Sequence, residues 1–90
     1  MEFSWDRRKA QRNLRKHGIT FEEAVTIFAD PLEIAVYDPD HSVFEDRFVS
    51  VGLSSVGRLL VVGYTERESK IRLIFARRAT VPERMDYEEA

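Results

Sequence analysis

The chain has no cysteine. Disulfides and thiolate–metal centres are therefore excluded, and a reducing compartment such as the cytoplasm is expected. No apolar run approaches the ~20 residues that a membrane-crossing helix needs. The first residues, Met1 to Asp6, lack the basic-then-apolar layout of a secretory signal, so no membrane partner is expected. Glycine is scarce, four in 90 residues, and no P-loop or dinucleotide fingerprint is present. Gly-x-Ser-x-Gly and His-Glu-x-x-His are missing too, which removes the common hydrolase and zinc-protease signatures. There is no internal repeat, no low-complexity tract and no Ser/Gly linker. Residues 1–90 read as one domain, because this length leaves no room for two cores.

Positive charge is also missing from one long stretch. Residues 19–46 contain no Lys or Arg and eight acids. Around it lie basic blocks: six basic against two acidic groups in residues 1–18, and seven against two in residues 47–78. Residues 79–90 are acidic again, with one Arg against four acids. The net charge of −2 hides this segregation. A fold that gathers the basic blocks makes a local phosphate-binding surface on a mildly acidic molecule.

Local signals divide the chain into elements. Asp6 can cap a helix over residues 7–17, with Gly18 as its left-handed terminator. The apolar stripe of that helix is thin, Ala10 and Leu14, and basic side chains fill the rest. Thr20 and Glu23 have capping-box spacing, and Phe21, Ala24, Val25 and Phe28 form a core face on a second helix that ends at Asp30-Pro31. Alternation over 32–37 and 47–53 predicts strands joined by an Asp38-Pro39-Asp40-His41 turn. The unbroken apolar run Leu59 to Tyr64 predicts an interior strand, and 71–76 a further one, with Ile71, Leu73 and Phe75 on one face. Thr80 and Glu83 open a short final helix. The expected class is α+β: two N-terminal helices on one face of a four-stranded, mainly antiparallel sheet, then a short C-terminal helix.

The chemistry-bearing residues cluster late in the chain. Lys70 and Arg72 point away from Ile71 and Leu73, and Arg77 and Arg78 end the same strand. Arg47 and Arg58 fall on neighbouring strands. Guanidinium binds phosphate through two parallel hydrogen bonds and stays charged. Each arginine can equally pair with Glu45, Asp46, Glu66 or the acidic last helix. His41, Glu45 and Tyr64 are the residues able to move a proton beside them. His17 sits where it can interact with a helix C-terminus. Nothing has metal-ligand spacing, and neither a metal nor another cofactor is expected.

Several segments resemble the BrnT family of bacterial toxins: Phe3-Ser-Trp-Asp6, Asn13-Leu-Arg-Lys-His-Gly-Ile-Thr-Phe21-Glu-Glu-Ala, Asp30-Pro31, Asp40-His41 with Glu45-Asp-Arg47, and Ile71-Arg-Leu-Ile-Phe-Ala-Arg-Arg-Ala79. The resemblance covers nearly the whole chain. It implies a RelE-like fold, a metal-independent ribonuclease activity on RNA, and a BrnA-like antitoxin that inhibits the toxin and carries it to operator DNA. By position it implies Arg72 and Arg77 as the functional arginines and, less closely, Arg47, Arg58 and His41. The residues themselves add Glu45 beside His41 as a candidate catalytic base, and place Lys70 and Arg78 with Arg47 and Arg58 as candidate RNA contacts. Phe75 departs from the pattern, in which Ser is frequent. A different class also fits the residues: a non-catalytic module that binds a DNA-binding partner and acts in repression.

Overall fold

The computed structural model describes residues 1–90. The elements run β1 (Glu2–Trp5), α1 (Arg7–His17), α2 (Phe21–Val25) with a 3₁₀ turn over Thr26–Ala29, β2 (Ile34–Tyr37), a 3₁₀ turn over Pro39–His41, β3 (Arg47–Leu53), β4 (Leu59–Arg67), β5 (Lys70–Arg78) and α3 (Val81–Glu89). One sheet has the order β1-β5-β4-β3-β2, with β1 parallel to β5 and every other pair antiparallel. The class is α+β as expected. The sheet has five strands rather than four, because the four residues before Asp6 add a parallel edge to β5. No helix is long and apolar enough to cross a membrane.

Caps set the helix boundaries where the sequence places them. Asp6 accepts from the Lys9 amide at 3.0 Å, and Gly18 takes φ 70°. Thr20 accepts from the Glu23 amide at 3.0 Å. The reciprocal half of that box is absent: Glu23 turns instead to Arg58 and Ser54, and ties α2 to the β3–β4 hairpin. At Thr80 and Glu83 both halves form.

β4 is the central strand, and Leu59 to Thr65 are all buried. Its register assigns the faces. Leu60, Val62 and Tyr64 share one face with Phe48, Ser50, Leu73, Ala76, Phe3 and Trp5. That is the core face, covered by Ile19, Phe21, Ala24 and Ile27. Aromatic rings cross it in series: Trp5 on Phe21, Phe3 on Phe28, Phe28 on Tyr64 with centroids 5.1 Å apart, and Tyr64 on Phe48. Edge-to-face and offset contacts of this kind add to simple area burial.

α1 docks differently from its predicted apolar stripe. Leu14 is 47% exposed, and the inward residue is Asn13. Its Nδ2 donates to Ala76 O at 2.8 Å and Ile19 O at 3.0 Å, and its Oδ1 accepts from Ala76 N at 3.0 Å. β1 pairs β5 only as far as Leu73. Beyond it Asn13 supplies the donor and acceptor that a longer β1 would have given, so the buried edge stays satisfied.

A bulge sets the opposite face. Gly63 pairs Phe75 while Tyr64 pairs Leu73, leaving Ile74 as the extra residue. The extra residue inverts the alternation. Phe75 therefore lies opposite the face of Ile71 and Leu73, contrary to the simple period of two. Its ring lies over Gly63, where an added Cβ would sit 2.1 Å from Phe75 Cε2. α3 reaches this second face, not the core face: Glu83 meets Arg77, and the Tyr87 hydroxyl donates to Asp30 at 2.6 Å.

Candidate functional site

The second face of the sheet carries the polar chemistry. Rows across β3, β4 and β5 read Arg47–Thr65–Arg72, then Val49–Gly63–Phe75, then Val51–Val61–Arg77. Strands lie ~4.8 Å apart, so the Arg47 and Arg72 backbones stand roughly 10 Å apart across Thr65. Two arginine side chains can converge on one phosphate over that span. Arg72 has no carboxylate partner and only a long 3.4 Å contact to Ser4 Oγ. Lys70 lies one row further out, in an exposed ion pair with Glu2 at 3.5 Å.

The β2–β3 connection folds over this end. Pro39 starts a 3₁₀ turn that brings His41 back onto Asp38, with His41 Nδ1 2.8 Å from Asp38 Oδ2. The imidazole is two-thirds exposed, and its Nε2 makes no hydrogen bond within the protein. A carboxylate on one ring nitrogen fixes the tautomer and frees the other nitrogen to accept a proton. Asp38, His41, Arg47, Val49, Gly63 and Phe75 line one depression of about 280 Å³. Asp38 is the member that sequence reasoning missed. Its signal was the i, i+3 spacing to His41 across a proline turn.

Glu45 lines the adjoining depression with His41, Phe44 and Arg47. It is engaged by Arg67, whose Nε donates to Glu45 Oε2 at 2.7 Å. Phe44 beside it is fully exposed.

Four sequence candidates have their polar groups engaged elsewhere. Arg58 belongs to the α2 side, where its Nε donates to Glu23 Oε2 at 2.9 Å. That bond, more than any other contact, holds the Glu23 carboxyl below its usual range. Arg78 pairs opposite Leu60 on the core side, within the field of Glu23. Arg77 shares the face of Arg72 but stands two rows down the strand, roughly 13 Å away at ~3.4 Å per residue. Both terminal nitrogens of Arg77 donate to Glu83 at 2.8 Å. Arg77 pulls the Glu83 pKa down to about 2. Tyr64 is on the core face and 4% exposed, with its hydroxyl 2.9 Å from Ser50 Oγ. Burial raises its pKa, and although Tyr64 also lines the Asp38–His41 depression, its hydroxyl is engaged by Ser50 on the core side. No three His, Asp or Glu side chains converge as a metal site would require.

An exposed imidazole–carboxylate pair beside unpartnered arginines, on a sheet face without a phosphate loop, equips a small α+β protein to handle a polyanionic substrate. The particular family follows from comparison. A model described as "Ribonuclease toxin, BrnT, of type II toxin-antitoxin system" matches residues 5–83. The chain belongs to that family of ribonuclease toxins. Its fold is similar to the crystal structure of the Brucella abortus ribonuclease toxin BrnT, with a TM-score of 0.65, 24% sequence identity, and coverage of 89% of this chain and 97% of that one. No curated protein sequence matches significantly.

Proposed function

We propose that this protein is a metal-independent endoribonuclease toxin that cuts RNA through attack of a ribose 2′-OH on the adjacent phosphate. The observation that carries the reading is the Asp38–His41 pair beside Arg47 on the face that Arg72 shares. His41 Nε2 accepts the proton of the 2′-OH, and Asp38 holds the imidazolium that forms. The O2′–P bond forms and the P–O5′ bond breaks. The leaving oxygen takes a proton from water, giving a 2′,3′-cyclic phosphate and a 5′-hydroxyl. Arg47 and Arg72 meet the charge that builds on the non-bridging oxygens, and both present the planar fork that such oxygens favour. Glu45 positions the β2–β3 connection through Arg67. Arg77 serves the site from a distance, by holding α3 off the Arg72 end. Lys70 extends the basic rim.

Type II toxins act with an antitoxin, and the partner proposed here is a BrnA-like protein encoded beside this one. It covers the basic face and links the pair to operator DNA. The direct test is cleavage of an RNA oligonucleotide by purified protein in EDTA. Cleavage is expected, and loss of it on replacing the ribose at the cut site by 2′-deoxyribose identifies the nucleophile. Dependence on an added divalent ion, or cutting of the deoxy substrate, overturns the mechanism.

A further inference from the structure

We infer that the flank of α1 bearing Lys9, Arg12 and Lys16 and the bulge of β5 form a track for single-stranded RNA leading into the Asp38–His41 depression. The inference rests on the ribonuclease reading above and assigns the substrate's path outside the reacting phosphate. The first observation is a difference in pairing. Arg58, Arg67, Lys70, Arg77 and Arg84 each lie within ion-pair distance of a glutamate. None of the six Lys and Arg residues of α1 does; all the ion pairs lie elsewhere. Asp6 is the acid whose carboxyl feels the charges of Arg12 and Lys9, and its Oδ1 is occupied by the Lys9 amide at the helix cap.

The second observation is placement. Lys9, Arg12 and Lys16 recur at helical spacing on the side of Asn13, and with His17 they line a depression of about 360 Å³ walled by Ile74 and Phe75. Ile74 and Phe75 also wall the depression that holds Asp38, His41 and Arg47. The bulge is thus a shared ridge between a cationic groove and the proposed cleavage site. From Lys9 to Lys16 the helix advances roughly 10 Å, enough to follow successive phosphates. Phe75 is partly exposed on the ridge, where a nucleobase can stack on its ring.

The third observation is rigidity. Asn13 bolts α1 to Ala76 through two hydrogen bonds, so the cations are held in place before any ligand arrives. Apart from Ile74 and Phe75 on the ridge, the groove is lined only by cationic and polar side chains, whereas protein interfaces centre on clustered apolar anchors. A polyanion fits it better than a protein partner.

The test measures binding of an uncleavable 2′-O-methyl RNA of about 12 nucleotides across a salt series. The triple variant K9Q/R12Q/K16Q is expected to bind about 50-fold more weakly near 0.1 M salt. Its slope of log affinity against log salt should fall by about 2, at ~0.7 per lost single-strand contact. Cleavage of a trinucleotide that occupies only the site is expected to stay within about twofold of wild type, while KM for the longer RNA rises. Arg84→Gln, which removes one paired charge from α3, is expected to change none of these. Should the triple variant melt lower than wild type, the single variants Lys9→Gln and Lys16→Gln are each expected to cost about fourfold in binding. Unchanged affinity and slope overturn the track. So does equal loss on the trinucleotide, which would place α1 at the reacting phosphate. A variant that keeps RNA affinity but no longer captures the co-encoded antitoxin would assign this face to the protein partner instead. Because binding is read on uncleavable RNA, a wild-type protein that binds but does not cut sinks the ribonuclease reading and leaves the track standing.

Discussion

Arg72 and Arg77 lie on one strand and one face of the sheet, yet they inhabit different proteins in miniature. At the Arg77 end α3 returns across the sheet, and Glu83 closes on both guanidinium nitrogens. At the Arg72 end the β2–β3 connection returns without bringing a carboxylate to Arg72, and the guanidinium has no partner within ion-pair distance. The lesson is that an arginine's availability is set less by its own strand than by where the chain goes next. Arg58 repeats it: a basic residue between two hairpin strands is consumed by Glu23 of α2.

The two largest expected effects, both on activity, break the comparison directly. Arg72→Ala should lower the single-turnover RNA cleavage rate about 10²–10³-fold with an unchanged melting temperature. His41→Ala should lose about 10²–10⁴-fold, also without loss of stability, since its ring is largely exposed. Arg77→Ala should do the reverse, holding most of the activity and losing stability. Equal loss of activity at Arg72 and Arg77 in well-folded variants would abolish the distinction.

Asn13 sharpens the comparison from the other edge of β5. Asn13→Leu leaves Ala76 N–H, Ala76 C=O and Ile19 C=O without the partner that satisfies them. Denaturant unfolding should show a loss of about 2–4 kcal/mol. A loss below about 0.5 kcal/mol would mean that water replaces the amide and that α1 is not bolted down.

Next in size is the α3 clasp. Arg77→Ala or Glu83→Gln should each cost about 1–2 kcal/mol, because the pair is only partly screened from water. Its pH dependence has a definite sign. The Glu83 pKa falls from 4.5 to about 2 on folding, so its contribution is complete above about 4.5 and drains away as pH falls toward 2. Stability of Glu83→Gln measured over that window should fall less steeply than wild type. Parallel acid limbs would show that the clasp does not form in solution.

The smallest effect concerns the ridge. Gly63→Ala should push the Phe75 ring aside and cost about 1 kcal/mol, and Phe75→Ser should relieve it in the double variant. Strict additivity of the two changes would show that the ring does not rest on Gly63.

Much of this architecture is legible in the residues. Asp6, Gly18, Thr20 and Thr80 mark helix ends because their backbone roles are local. The run Leu59 to Tyr64 marks the central strand because burial on both faces demands apolar side chains throughout. β1 is illegible as a strand, since four residues beside a helix cap carry too short a pattern, and a parallel edge draws its partner from residues 70–73. Leu14 misleads for a related reason: α1 is anchored by a hydrogen-bonded amide rather than by an apolar stripe. Within the site, His41, Arg47 and Arg72 are visible as residue types. Asp38 becomes visible as a partner only when the 3₁₀ turn brings it within 2.8 Å of the imidazole.

The α+β class, the helix caps, the interior strand and the segregation of charge can all be read from the residues, because each depends on neighbours within a few positions or on composition. The tertiary structure alone decided which arginines are free. A guanidinium is neutralised by whichever carboxylate the fold brings within hydrogen-bond reach, and Glu23 and Glu83 arrive from other elements. It also decided the faces of β5, because one extra residue opposite Gly63 inverts every side chain beyond it, and that insertion exists only in the pairing of two strands.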